Sequence, residues 1–530
     1  MCKKYLFRIG LMLTSCFITL SSCGQTQDNA TSSVRPVAEK TDLDSIQISS
    51  FLIEYPNLKR YEVDIRAFYR ERDYAYVWFY EGKLVEQAGN LTNKILNLKD
   101  DGVFKQLSYG LALDSLRQEQ HPTRVPNIKL ELLLTAEYFV YSNLVWQGME
   151  SIVSKENGWF LPRKKISYDL YLDSLLKTPV SGLPIKEPVY RQYELLRRYL
   201  SKYRQLDTLA QWDKIPSFSN EQRAVKKAQI VRQVKARLIQ LSDYAGKLPD
   251  TLFDGKLVLA LQTFQVRHGL SPSGKIDQQT LEELNVPLKT RIRQIIVNME
   301  RSRWLPITSE SDYIAVNIPE FKMHVYHSDS LLWSANAVVG KMLHPTTVFY
   351  GEINQVVFSP YWNIPESIVA KEILPRIKKD PDYLAKHNME ITGKRNGLSV
   401  IRQKPGASNA LGLVKFLFPN SYSIYLHDTP SKSLFNETAR AFSHGCIRIK
   451  EPEKLAAFLL KDKDNWNTTS IRAAMHAGKE KIIPIVKKVP VYIAYFTAFI
   501  DRDSRLNFRK DIYQLDSRLA ATIMSGEGAY

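Results

Sequence analysis

The run Ser443-His444-Gly445-Cys446-Ile447-Arg448, with His427-Asp428-Thr429-Pro430 upstream, collects the residue types that a thiol nucleophile requires. A nucleophilic sulfur needs a base within hydrogen-bond reach and a third group to hold that base. Free cysteine titrates near about 8.5, so at neutral pH it is only a few per cent thiolate and gains from a paired imidazole. His444 lies two residues from the sulfur in the same tight turn and can point elsewhere. His427 ends a predicted strand and can face the sulfur from a neighbouring one, so His427 is the expected base. Gly445 lets the backbone take unusual torsions, and the N–H groups around Gly445 and Cys446 are candidate oxyanion donors. Arg448, two residues on in an extended chain, points to the same side as the sulfur and offers a planar fork to a substrate carboxylate. A surface ion pair is the competing reading of Arg448. Ser443, which opens the turn, is grouped with Arg448 on the substrate side.

A Cys/His cluster also raises metal binding. Zinc sites present paired ligands such as C-x-x-C or H-E-x-x-H. Here a single cysteine stands with His324, His327, His344 and His387 at no such spacing, so neither a metal nor another cofactor is expected.

The elements that must position these residues follow from the rest of the chain. At 530 residues it is long enough for several domains. A formal net charge of +18 suits a polyanionic surrounding, but the basic residues form no block, which speaks against nucleic acid. Lys3, Lys4 and Arg8 precede a short apolar stretch, Ile9 to Leu20, as in a secretory signal peptide over 1–22. The run Leu20-Ser21-Ser22-Cys23-Gly24 resembles the lipobox of bacterial lipoproteins, which implies a lipid on Cys23 and a polar tether over 23–41. The expected location is the periplasm, on a membrane, with Gly24 favouring the outer one. Cys2 and Cys16 fall in the cleaved peptide and Cys23 takes the lipid, so Cys446 is the one thiol of the folded part.

Residues 42–245 carry mostly helical periodicity and read as a scaffold. Within 246–288, Leu257 to Gly269 forms an amphipathic helix stopped by a glycine, followed by a Ser271-Pro272-Ser273-Gly274 turn and a short helix from Gln278 to Leu284. This resembles a small peptidoglycan-binding domain, with Asp277 where glycine is usual, so a differently shaped loop is expected. Residues 289–310 read as a linker helix. Alternating patterns at Tyr313 to Ile318, Lys322 to Tyr326 and Leu331 to Val339, with short strands at 356–358 and 423–426, predict a mainly β domain over 311–485. Its segment 366–420, rich in proline and glycine, is expected to be a lid or substrate loop. A further strand is read over Val489 to Phe496, in a C-terminal extension, 486–530, that packs on either neighbour.

His427, fifteen intervening residues, then Ser443-His444-Gly445-Cys446 and Arg448 closely resembles the signature of the L,D-transpeptidase catalytic domain. The stretches "NMERSRWLP" at Asn298 to Pro306, "SPYWNIP" at Ser359 to Pro365 and the tail from Val491 to Tyr513 are similar to its YcbB-like subfamily. The resemblance implies a multidomain α+β fold: helical scaffold, three-helix peptidoglycan-binding-like domain, and a mainly β catalytic domain with a long lid insertion. It implies that Cys446 attacks the carbonyl before the terminal D-Ala of a tetrapeptide stem. His427 then moves the proton, held by the backbone carbonyl of Asp428, while His444 and Arg448 complete the site. An amine of a second stem resolves the thioester into a 3→3 cross-link. Tyr361 and Trp362 fall in the donor groove or, for Trp362, equally in the core. Carbapenems would acylate the same cysteine. The implied partners are peptidoglycan and a membrane, with the chain a monomer. Two rivals stay open: water resolving the thioester, as in a carboxypeptidase or endopeptidase, and a non-enzymatic lipoprotein that tethers the wall.

Overall fold

A computed structural model describes residues 43–525 apart from 106, 121–125, 179–185, 218–223, 247 and 307–310. The signal peptide, tether and lipid-bearing Cys23 lie outside the described residues.

The N-terminal half is helical around α1 (Ile128–Tyr141), which is apolar on all sides and buried along most of its length. It carries two buried carboxylates, Glu131 and Glu137. Glu131 accepts from the Val77 and Trp78 N–H groups at 2.8 and 3.0 Å and from the Tyr69 hydroxyl at 2.9 Å. Burial nonetheless pushes that carboxyl up to about 7. α2 (Arg191–Leu209) closes this half.

The small helical unit has three helices, α3 (Ala224–Gln240), α4 (Gly255–Arg267) and α5 (Gln278–Leu284). Ile230, Val231, Val234 and Leu238 of α3 share one core with Leu257, Leu261, Phe264, Leu281 and Leu284. The boundary read at 246 therefore cuts this unit, because an amphipathic face does not say which neighbour covers it. Asp277 does not distort the loop: its side chain accepts from Thr280 N–H at 2.8 Å and caps α5. Buried Gln265 organises the turn, donating to Ser273, Lys275 and Thr280 and accepting from Gly274 N–H at 2.9 Å.

α6 (Leu288–Arg303) is the spine, not a linker. Ile292, Ile295, Ile296 and Met299 enter the helical core, while Val297 and the following Trp304 enter that of the β domain. Its last turn buries charges. Arg303 donates to Glu300 Oε2 at 2.5 Å, to the Val145 carbonyl at 2.7 Å and to the Asp101 carbonyl at 2.5 Å. Glu300 Oε1 accepts from Met149 N–H at 2.7 Å. Arg301 pairs with Asp516 at 2.6 Å on α7 (Leu515–Met524).

The β domain is a ring of strands. β1 (Trp159–Phe160) comes from the helical half and pairs in parallel with the start of β5. β2 (Asp312–Asn317), β3 (Lys322–His327) and β4 (Ser330–Gly340) form a meander, and β5 (Val348–Phe358) follows. β6 (Trp362–Asn363), β7 (Met389–Arg395) and β8 (Leu398–Gln403) make a separate three-stranded sheet. β9 (Val414–Leu417), β10 (Leu426–His427), β11 (Ala441–Ser443), β12 (Ile447–Ile449) and β13 (Lys481–Ala494) complete the main sheet. In order β9-β10-β12-β4-β3-β2-β13-β5 the strands run round until β5 pairs with β9, which closes the ring. The tail ends in a hairpin, β14 (Ala498–Ile500) and β15 (Leu506–Phe508), then α7.

Three expectations change here. β13 runs from 481 to 494 between β5 and β2, so the sheet continues past residue 485; the register shift between Pro484 and Val489 hides its continuity. The segment 366–420 is not one loop. Its first part folds as short helices and β7–β8 around Ile364, Val369, Ile373, Tyr383 and Ile401, whereas β9 belongs to the main sheet. The strand read at 423–426 begins only at Leu426, since Ser423 has φ 56°. The tail packs on both halves: Ile500 and Phe508 enter the helical core, Leu519 and Ala520 that of the β domain.

Arg303→Met would leave Glu300 buried and short of its charge partner. The expected cost is about 3–5 kcal/mol, read as a lowered thermal midpoint. Substitution of the exposed Arg60 should leave the midpoint within about 0.5 kcal/mol of unchanged stability.

Candidate active site

β10 and β12 are neighbours in parallel, with Leu426 level with Ile447 and His427 level with Arg448. Leu426, Ile447 and Ile449 point into the core. The alternation of a strand then puts Tyr425, His427, Cys446 and Arg448 together on the other face. Cys446 is level with Tyr425, and His427 is its diagonal neighbour on the next strand. On the other side of β10, Lys415 of β9 is level with His427, so Lys415, His427 and Arg448 form one cross-strand row.

The Cys446 Sγ faces the Ser423 carbonyl at 3.6 Å. Burial pushes the thiol up from its ordinary value, and the Tyr425 N–H, the Tyr425 hydroxyl and Arg448 oppose that rise. His427 is buried, and its Nδ1 donates to the Asp428 carbonyl at 2.5 Å. Burial, with Arg448 adding to it, drives the imidazole down to about 3 although the Asp428 and Leu411 carbonyls favour the proton. Burial thus favours the neutral form of both groups.

The turn before the sulfur is held from within. Ser443 Oγ donates to the Cys446 carbonyl at 2.5 Å and accepts from Gly445 N–H at 3.1 Å. Thr346 Oγ1 donates to the Gly445 carbonyl at 2.7 Å. Gly445 has φ 117°, a backbone region that suits glycine. Ser443 is thus occupied with the turn rather than turned to a substrate. Gly445 N–H is committed as well, so of the two oxyanion donors expected from the sequence this one is already engaged.

Asp428 acts twice. Its carbonyl orients His427, while its buried carboxylate accepts from Leu413 N–H at 2.9 Å and pairs with Lys432. His444 is turned to Glu372 of the insertion, Nε2 to Oε1 3.0 Å, with the His344 ring 5.0 Å away. Among the described residues Arg448 pairs with no acid, and its buried Nε lacks a hydrogen-bond partner. Tyr361 lies under the Arg402 guanidinium at 4.1 Å, and its N–H donates to Glu480 at 2.9 Å. Trp362 packs against the core of the insertion, the alternative given for it above.

Sequence reasoning missed Tyr425 and Lys415. Tyr425 reads as one more strand aromatic, and only its place two residues before His427 signals a shared face. Lys415 sat in the presumed loop. It is half-buried, 3.7 Å from Glu480, and lowered by burial from the ordinary lysine value.

Family models match three stretches of the chain: residues 311–493 the "L,D-transpeptidase catalytic domain", 63–200 the "Scaffold domain", and 227–284 the "Putative peptidoglycan binding domain". A curated relative from Haemophilus influenzae, "Putative L,D-transpeptidase", is 32% identical over 271 residues, 47% of this chain. The alignment spans about half of that relative, 54% of its length. Among solved structures, an L,D-transpeptidase from Stackebrandtia nassauensis is 12% identical with TM-score 0.22, over 50% of this chain and 90% of its own. One from Mycobacterium smegmatis is 12% identical with TM-score 0.20, over 35% of this chain and 58% of its own.

With the thiol raised by burial, alkylation of Cys446 by iodoacetamide should climb with pH beyond the ordinary cysteine range. Tyr425→Phe removes a group that favours the thiolate and should move that profile to still higher pH. A profile displaced downward would contradict the assignment. Because His427 is neutral above about 3, no second limb is expected near the usual histidine range.

Proposed function

We propose that the chain cross-links peptidoglycan stems 3→3 through a thioester on Cys446, a reading supported by the match of residues 311–493 to the L,D-transpeptidase catalytic domain and of the preceding stretches to scaffold and peptidoglycan-binding domains. The observation that carries this reading is the shared face of Cys446, His427 and Arg448, with His427 oriented by the Asp428 carbonyl.

The donor carbonyl, between the third stem residue and the terminal D-Ala, is attacked by Sγ. Since burial favours the neutral form of both groups, the thiol proton passes to His427 Nε2 as the carbon–sulfur bond forms; Nδ1 is already bonded to Asp428, which fixes the tautomer. The Cys446 N–H and the Tyr425 hydroxyl would donate to the tetrahedral oxyanion. Collapse breaks the amide bond, and His427 returns the proton to the D-Ala amine. The side-chain amine of a second stem then attacks the thioester and gives a proton to His427, and the departing thiolate takes it back. Arg448, with its unpartnered Nε, and Lys415 supply the positive charge that holds a stem carboxylate. The helical insertion acts as a lid over the donor, latched by Glu372 on His444. Hydrolysis of the same thioester would use the same groups, so the acceptor alone separates cross-linking from carboxypeptidase action. We place the chain at a membrane in the periplasm through a lipid on Cys23, in line with the lipobox-like run and the net charge of +18.

Full-length protein in detergent, incubated with disaccharide-tetrapeptide stems, should give dimers lacking one D-Ala by mass spectrometry. Cys446→Ala should give none. Monomeric tripeptides alone would replace cross-linking by hydrolysis, and no product with an unacylated Cys446 after carbapenem would reject the enzyme. Arg448→Gln should raise KM for the donor by about tenfold, corresponding to about 1.4 kcal/mol, with a smaller change in kcat.

A further inference from the structure

A second cleft, of about 360 Å³, opens where the start of α2, strands β2, β3 and β13, and the β14–β15 hairpin meet. None of Cys446, His427 or Arg448 lines it. Six aromatic side chains line it: Tyr190, Tyr313, Tyr326, Tyr492, Phe496 and Phe499. Tyr313 and Tyr326 stack on each other at 4.7 Å, with Tyr492 edge-on to Tyr313 at 5.9 Å.

A polar chain crosses the floor. The Ser334 hydroxyl lies 2.7 Å from His324 Nδ1, and His324 Nε2 lies 3.1 Å from Glu320 Oε2. Burial would raise the Glu320 carboxyl, but His324, Arg509 and Lys322 outweigh it and hold it at about 2. Glu320 therefore stays a fixed acceptor, and exposed Ser334 presents a hydroxyl that can donate or accept.

The rim does not select an ion. Arg191, Lys322 and Arg502 stand among Asp329, Asp501 and Asp503. Mixed charge over an aromatic wall suits a neutral ring with one apolar face and hydroxyls at its edge, and the volume lies at the low end for small-ligand sites, roughly 300–1,000 Å³. The hairpin that forms one wall also touches the small helical unit. The β14–β15 hairpin is clamped to it by Arg267 donating to the Leu506 carbonyl and by Arg509 donating to the Arg267 carbonyl at 2.7 Å.

We propose that this cleft is a saccharide site, separate from the Cys446 site, that seats one or two rings of the glycan strand. The proposal rests on peptidoglycan being the substrate. It gives the enzyme a hold on the strand apart from the stem peptide, in register with the unit matched by the peptidoglycan-binding family.

The test titrates full-length protein in detergent with a tetramer of N-acetylglucosamine, by calorimetry. Ser334→Trp, which fills the cleft from an exposed position, and Phe499→Ala, which removes a wall, should each weaken binding about tenfold or more, about 1.4 kcal/mol. Thermal midpoints of both variants report that they fold. Equal affinity in folded variants and wild type would assign the sugar to the small helical unit and overturn the proposal. Absence of binding by wild type would overturn it too. Carbapenem acylation of the same wild-type sample separates the readings: acylation without sugar binding removes the cleft and leaves the thiol chemistry, whereas its loss strikes the function itself.

Discussion

The buried charges at the end of α6 are the constraint on which the other parts depend. Arg303 and Glu300 are almost fully out of water; besides pairing with each other they depend on groups from outside their helix: the carbonyls of Asp101 and Val145 for Arg303, and the Met149 N–H for Glu300. A charge buried in this way is tolerated only when its partners stay in place. The helical half must therefore keep its loops at 101 and 145–149 against α6. Through Arg301 and Asp516, α6 in turn fixes α7 and the tail. Apolar packing alone would let these parts slide, whereas directional bonds do not.

Around the sulfur a different economy of charge operates. Lys415 and Arg448 flank His427 in one row, and their positive charge, added to burial, keeps its imidazole free of a proton. On the proposed function, an anionic donor would neutralise the row as it binds and make the imidazole a better proton acceptor. Asp428 ties this to the frame, since one residue orients the base and pins the Leu413 loop.

Much of this was legible in the sequence because it lies in local pattern. The 3.6-residue period and Gly269 mark α4, and Gln278 to Leu284 is a helix as read. The spacing from His427 to Cys446 picks out two adjoining strands. What was not legible is what the sequence does not carry locally. Nothing in 224–240 says that its apolar face covers α4. Pro484, Lys487 and Lys488 read as a break, although β13 passes straight through them with a shift of register. Lys415 and Tyr425 gain meaning only when β9 and β10 are laid beside β12. The direction of His444, toward Glu372 of the insertion, depends on a tertiary contact with a segment seventy residues away.

Cys446, the one free thiol among the described residues, is kept protonated by the burial that makes proton transfer part of its chemistry. Peroxides and disulfides react with the thiolate form, not with the thiol. A sulfur held toward the thiol form by burial would be less open to such oxidants than a preformed thiolate. On the proposed function, durability and selectivity would have one origin: only a molecule that fills the pocket and draws the proton onto His427 would meet a reactive sulfur.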